Sequence, residues 1–236
     1  MSGGGTRSGR RRTGGSGASA KPSEEPVRGI PQSEIDKLRG TREHFDADKF
    51  NYITMLDDYK RVGIKLSTNE IADIKSAISG FTGGEYRSMR EAAQDFYAGE
   101  KLDSEKQKLF NDYQKIIEYT KIAPTYKGAG QYIYRGINAL VGPKYAASLR
   151  ALKPGDTIDF RKIVASFSSS EKIAQNFAIA GGAGGIVFRA PTSKIKNAPS
   201  IKGLSHWSHE EEILVSDNFK ISKITTANGL TYIDVE

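Results

Sequence analysis

The 236-residue chain has no cysteine, which excludes disulfides, thiolate-held zinc, iron–sulfur clusters and a cysteine nucleophile. It has three histidines, His44, His206 and His209, too few for a His-rich site, so no metal is expected. No run of 18 apolar residues occurs, so no membrane-spanning helix and no membrane partner are expected. The first 20 residues lack the apolar stretch of a secretory signal. Residues 1–28 also lack any aromatic side chain, so that segment has nothing on which a nucleic-acid base could stack.

What that segment does have is charge and glycine. Residues 1–20 hold seven glycines and four serines around Arg10-Arg11-Arg12, a composition that cannot bury enough apolar surface to offset the entropy of ordering. Residues 1–28 therefore read as a disordered basic arm. It carries a net +4 of the chain's +7, which leaves the remaining 208 residues only mildly basic. The arm is either a solvated tail or an electrostatic attachment for RNA, DNA or another acidic partner.

Residues 29–236 read as a single domain in two parts: a helical lobe over 29–123 and a β-rich core over 124–236. In the first part, Asp46 is placed to cap a helix through Phe50, Ile53, Leu56 and Tyr59, stopped by Gly63. Ser67-Thr68-Asn69-Glu70 has the capping-box pattern, followed by Ile71, Ile74 and Ile78 at helical spacing up to Gly80. Tyr86, Met89, Ala93 and Phe96 mark a third helix. Ser104 and Gln107 open a fourth, with Leu109, Tyr113, Ile116 and Ile117 inward. Such stripes are core faces. After Pro124, short β-like runs alternate with turn signals: 132–137, 157–160, 164–168, 186–190, 211–215, 219–224 and 231–235, with short helices over 143–149 and 170–180. Helices first and strands later make the fold class α+β.

Three segments of the β-rich part could carry chemistry. Tyr134-Arg135-Gly136 ends an apolar strand with a guanidinium, which needs either a salt bridge or an anion such as a phosphate. Ser166-Phe167-Ser168 places two hydroxyls on one strand face and the ring on the other, while Ser169 or Ser170 suits the cap of the next helix. Glu210-Glu211-Glu212 opens a strand; regular alternation would set Glu210 and Glu212 on one face, ~7 Å apart. Adjacent carboxylates repel one another, so the cluster is either a solvated turn or a device for stabilising a sugar-like cation and handling a proton.

In that order, with Ala174 and Phe177 downstream of Ser166, the three segments resemble the R-S-E class of mono-ADP-ribosyltransferases, in particular the arginine-specific bacterial and phage branch. Leu66–Glu70, Ile74 and Phe81-Thr82-Gly83 resemble the helical lead-in of the same family, so the resemblance spans roughly residues 65–236. The family's serine motif usually has Thr where Phe167 stands, a departure tolerated if that side chain faces away from the site. A second register through Ser168-Ser169-Ser170 fits the downstream spacing less well.

The resemblance implies a two-sheet, sandwich-like core with an NAD cleft, and transfer of ADP-ribose from NAD, as substrate, to an arginine of a target protein. It implies Glu212 as the residue that stabilises the oxocarbenium-like transition state, Ser166 holding Glu212, Ser168 supporting the NAD site and Arg135 on the phosphate and ribose region. It further implies the Gly136 backbone on the nicotinamide amide, Phe177 against the nicotinamide ring, and Glu210 as the residue that selects arginine. Segment 203–209 would meet the target protein, with Trp207, the only tryptophan, either a target contact or a buried packing residue. A monomer acting in a cytosol is expected, that of a bacterial host if phage-encoded or of a target cell if delivered as a toxin. Two alternatives remain open on sequence alone: the same NAD site with nucleic acid or water as acceptor, and a non-enzymatic basic protein that binds nucleic acid.

Overall fold

The computed structural model describes residues 26–43, 51–128, 130–138, 143–160, 162–180, 182 and 184–236. The expected basic arm up to residue 25 and the Asp46 cap lie outside them. Val27 is buried, and Arg28 bonds Glu70 at 2.6 Å and Glu118 at 3.0 Å, so a boundary drawn at residue 28 falls inside a packed segment.

Among the described residues, the first lobe holds five helices: α1 (Gln32–Arg39), α2 (Tyr52–Arg61), α3 (Thr68–Thr82), α4 (Tyr86–Tyr97) and α5 (Ser104–Ile122). The starts of α2, α3 and α5 are written in side chains that accept orphan backbone N–H groups. Asn51 caps α2 and Asp103, not Ser104, caps α5. Ser67 and Glu70 form the expected capping box at α3. Helix α3 runs past Gly80 and stops at Gly83, because the packing of Ile74, Ala77, Ile78 and Phe81 carries the helix through the glycine. A short parallel pair, β1 (Thr41–Glu43) and β2 (Thr125–Lys127), closes the lobe.

The second part holds β3 (Tyr132–Ile137), α6 (Pro143–Arg150), β4 (Thr157–Asp159), β5 (Ala165–Ser168), α7 (Glu171–Ile179), β6 (Ile186–Pro191), β7 (Glu212–Val215), β8 (Asn218–Ala227) and β9 (Leu230–Val235). Strands β3 to β9 form one mixed sheet in the order β4-β8-β9-β6-β3-β5-β7, with the β6–β9 pair parallel. The sheet curls on itself. Phe160, just beyond β4 at one edge, packs its ring against Phe219 of β8, Phe188 of β6 and Phe167 of β5 at centroid distances of 6.2, 6.3 and 5.8 Å. The two halves thus face each other as a sandwich does, and each fully buried ring contributes about 1.5–3 kcal/mol.

Strands β5 and β7 are shared between two cores. Ala165, Phe167, Ile213 and Val215 enter the sheet core, while Val164 and Leu214 enter the core of the helical lobe. This alternation leaves Ser166, Ser168 and Glu212 on the face turned toward the helices. No helix among the described residues is long and apolar enough to cross a membrane.

Candidate functional site

Strands β5 and β7 pair Ser168 opposite Glu212 and Ser166 opposite Leu214. From that register the Ser166 hydroxyl donates to Glu212 Oε1 at 2.6 Å. The Ser205 hydroxyl lies near enough to the Glu212 carboxylate to favour its charged form. Phe167 points into the sheet core, away from this face, which explains why a ring is accommodated there. The alternative serine register is not the one that reaches Glu212: Ser168 accepts the N–H of Ser170 at 3.1 Å, and Ser170 caps α7.

Glu212 is buried, and burial pushes its carboxyl up to about 7. The Ser166 bond, the nearby Ser205 hydroxyl and the charge of Arg135 pull it down, while the neighbouring Glu210 charge raises it further. Burial also raises Glu210, and His209 partly offsets that.

Strand β3 meets β5 at Tyr134–Ser168. One residue on, the Arg135 guanidinium donates through Nη1 to the Ser166 carbonyl at 2.7 Å and through Nη2 to the Tyr86 hydroxyl at 3.3 Å. Its Nε–H is buried with no hydrogen-bond partner among the described residues. Arg90, one helical turn after Tyr86, donates to the same phenol oxygen at 2.7 Å and to the Val164 carbonyl at 3.1 Å. Burial raises the Tyr86 phenol, but the charges of Arg135 and Arg90 outweigh it and bring the group down to about 8.

Tyr86 and Arg90 are legible in the sequence only as a helix face. Their spacing of four residues places both on one side of α4, but nothing in the sequence says that this side meets β3 and β5.

The glycine of Tyr134-Arg135-Gly136 has a packing reason of its own. A Cβ at Gly136 would lie 1.9 Å from the Ala174 carbonyl oxygen and 2.8 Å from Phe177 Cβ, so α7 sits directly on the strand. Gly185, at the end of the glycine-rich segment 181–185, is equally tight against Ala178. Gly185 thus seats α7, and residues 181 and 183 lie outside the described set. The Phe177 side chain, beside Gly136, is 48% exposed.

The acidic triplet departs from regular strand alternation. Residues Ser208–Glu210 form a 3-10 turn, Glu211 is left-handed (φ 52°, ψ 46°), and β7 begins at Glu212 instead of Glu211. Glu211 accepts from the Ser169 hydroxyl, and Lys202 Nζ lies 3.8 Å from its Oε1. The loop before it is anchored by His206, whose Nε2 is 2.9 Å from Ser79 Oγ of α3. Trp207 is 54% exposed, with its ring edge-on to His209 at 6.0 Å, so it is not a buried packing residue.

No family model and no curated protein matches the sequence. Solved structures do match. The Vis toxin, an ADP-ribosyltransferase from Vibrio splendidus, superposes with a TM-score of 0.56 at 19% identity, over 91% of this chain and 88% of that one. HopU1, an ADP-ribosyltransferase of Pseudomonas syringae pv. tomato, gives 0.50 at 17% identity over 85% and 86% of the two chains. An ADP-ribosyltransferase from Clostridium botulinum gives 0.50 at 16% over 81% and 94%. The chain has the fold of the ADP-ribosyltransferases.

Proposed function

We propose that the protein transfers ADP-ribose from NAD to an arginine side chain of a target protein and releases nicotinamide. The observation that carries the reading is the Ser166–Glu212 bond of 2.6 Å, which holds a buried carboxylate beside the Arg135 guanidinium, with Glu210 two residues upstream. Its agreement with the motif order, on a fold that ADP-ribosyltransferases share, supports the reading.

The residues fit a dinucleotide substrate. Arg135 supplies a cation with a buried N–H still to be paired, which a phosphate or ribose oxygen satisfies. Phe177 offers a half-exposed ring for the nicotinamide. Ionised Glu212 accepts from the ribose 2′-hydroxyl and stabilises the positive charge that develops on the ribose as its bond to nicotinamide breaks. The bonding pair leaves with the nicotinamide nitrogen. Ser166 holds Glu212 for this task. Glu210 holds the incoming guanidinium by paired hydrogen bonds and takes its proton as the new bond to the ribose carbon forms. Ser168 supports the site through the β5–α7 turn, and exposed Trp207 meets the target protein.

Arginine as acceptor draws support from one further similarity. The Vis ADP-ribosyltransferase, matched at a TM-score of 0.53 and 20% identity over 81% of this chain, was solved in complex with agmatine, a guanidinium compound.

The test follows NAD cleavage and transfer to agmatine separately. The wild type is expected to do both, and Glu210→Gln to lose transfer at least tenfold while keeping NAD cleavage. Equal loss of both activities in Glu210→Gln would remove the acceptor role. Cleavage without transfer in the wild type would favour water as acceptor, and nuclease-sensitive labelling in a lysate would favour nucleic acid.

A further inference from the structure

Glu211 stands in the left-handed region, where a side chain with a Cβ is strained. That conformation ends the 3-10 turn and starts β7, so it sets how Glu210 and Trp207 are presented relative to Glu212. A solvent-exposed residue could relax out of it. Glu211 does not, because its carboxylate reaches across to the next structural unit. Oε2 accepts from Ser169 Oγ, and Oε1 faces Lys202 Nζ at 3.8 Å. Ser169 lies between Ser168, the last residue of β5, and Ser170, the cap of α7, and it also bonds the Tyr126 phenol. The contact therefore ties the Trp207–Glu210 turn to the corner that carries the serine motif.

We infer that Glu211, clamped by Ser169, is a positioning residue that presets the acceptor loop and so governs use of the arginine acceptor, without acting on NAD itself. The inference rests on the proposed transfer reaction for its functional part. Its geometric part stands alone. Glu210 and Glu212 play different roles two residues apart, and a regular strand would place their side chains on one face at one height. The left-handed residue between them breaks that equivalence: Glu212 is drawn into the buried site, and Glu210 is left half-buried on the loop. Preorganising the loop before the acceptor arrives removes an ordering cost from acceptor binding.

The experiment compares wild type with Glu211→Ala, Glu211→Gly, Ser169→Ala and the Glu211→Ala/Ser169→Ala double variant. Glycine accepts the left-handed conformation without strain but has no carboxylate, so it separates the clamp from the backbone preference. Two readouts are used. The first is the emission anisotropy and acrylamide quenching of Trp207, the only tryptophan, which reports loop order whether or not the protein is active. The second is kinetic: kcat/KM for NAD cleavage and KM for agmatine.

The expected result is a more mobile, more readily quenched Trp207 in all four variants, NAD cleavage within about threefold of wild type, and agmatine KM raised at least tenfold. The double variant should lose clearly less than the sum of the two single ones, because both remove the shared Ser169–Glu211 contact while Lys202 and Tyr126 are separate partners. Unchanged Trp207 signals in Glu211→Gly and Ser169→Ala would overturn the clamp. Additive losses, or equal losses of cleavage and transfer, would overturn its role in acceptor use. If the wild type cleaves no NAD, the functional reading fails, and the Trp207 readout still decides the clamp.

Discussion

In the proposed reaction Glu212 works as a charged carboxylate, yet it lies where charge is costly. Burial holds Glu212 at about 7, against an ordinary value of 4.5, and the hydroxyls of Ser166 and Ser205 with Arg135 only partly reverse it. Two expectations follow from this one group. The ionised form is the one that stabilises a cationic transition state, so kcat/KM for NAD cleavage should rise with pH and level off above about 7, measured as a pH–rate profile of the free enzyme. The same shift works against folding. Between about 4.5 and 7 the folded state binds more protons than the unfolded one, so the stability this group contributes is fully present below about 4.5 and is lost as pH rises through 7. At pH 8, Glu212→Gln should therefore abolish activity yet raise stability by roughly 1–3 kcal/mol in urea unfolding. Lower stability in that variant would mean that the carboxylate is not held charged at a cost.

Elements show where the sequence is legible and where it is not. The Ser67–Glu70 box locates α3 because its signal lies within four residues. Ser166-Phe167-Ser168 locates β5 and Ile213–Val215 locates β7 because alternation is local as well, and across that strand pair the Ser166 hydroxyl meets Glu212 at 2.6 Å. Tyr86 and Arg90 have no such signal, because their partners, Arg135 and Val164, are far along the chain and only the tertiary fold brings α4 to them. Glu211 is hidden for a different reason. A non-glycine residue in the left-handed region has no local signature, and the triplet reads as plain strand. The resemblance puts the Gly136 backbone on the nicotinamide amide, and the structure adds a packing reason for glycine there that no local signal carries, since a Cβ would run into α7. Gly136→Ala drives a methyl into the Ala174 backbone, which cannot rotate aside. It should cost several kcal/mol by thermal or urea unfolding, beyond the usual range for overpacking. A loss under about 1 kcal/mol would show that α7 is not seated as described.

At the scale of the whole molecule, the candidate site lies where two cores share strands. Val164 and Leu214 pack among the helices, and Ala165, Phe167, Ile213 and Val215 pack inside the curled sheet. Arg90, from the helices, and Arg135, from the sheet, converge on one phenol. Neither part can loosen without exposing the other's apolar face, so the two should unfold together. Far-ultraviolet circular dichroism and Trp207 fluorescence are expected to trace one coincident transition, and two separated midpoints would contradict the shared core. The same convergence makes the site a product of the whole fold, and it gives the account its most direct test. Purified protein is mixed with labelled NAD and a bacterial lysate, beside Glu212→Gln, and both nicotinamide release and label are followed. The account predicts release and protease-sensitive label on arginine in the wild type, with at least a hundredfold less of each in Glu212→Gln. Equal activity in the two proteins would contradict it.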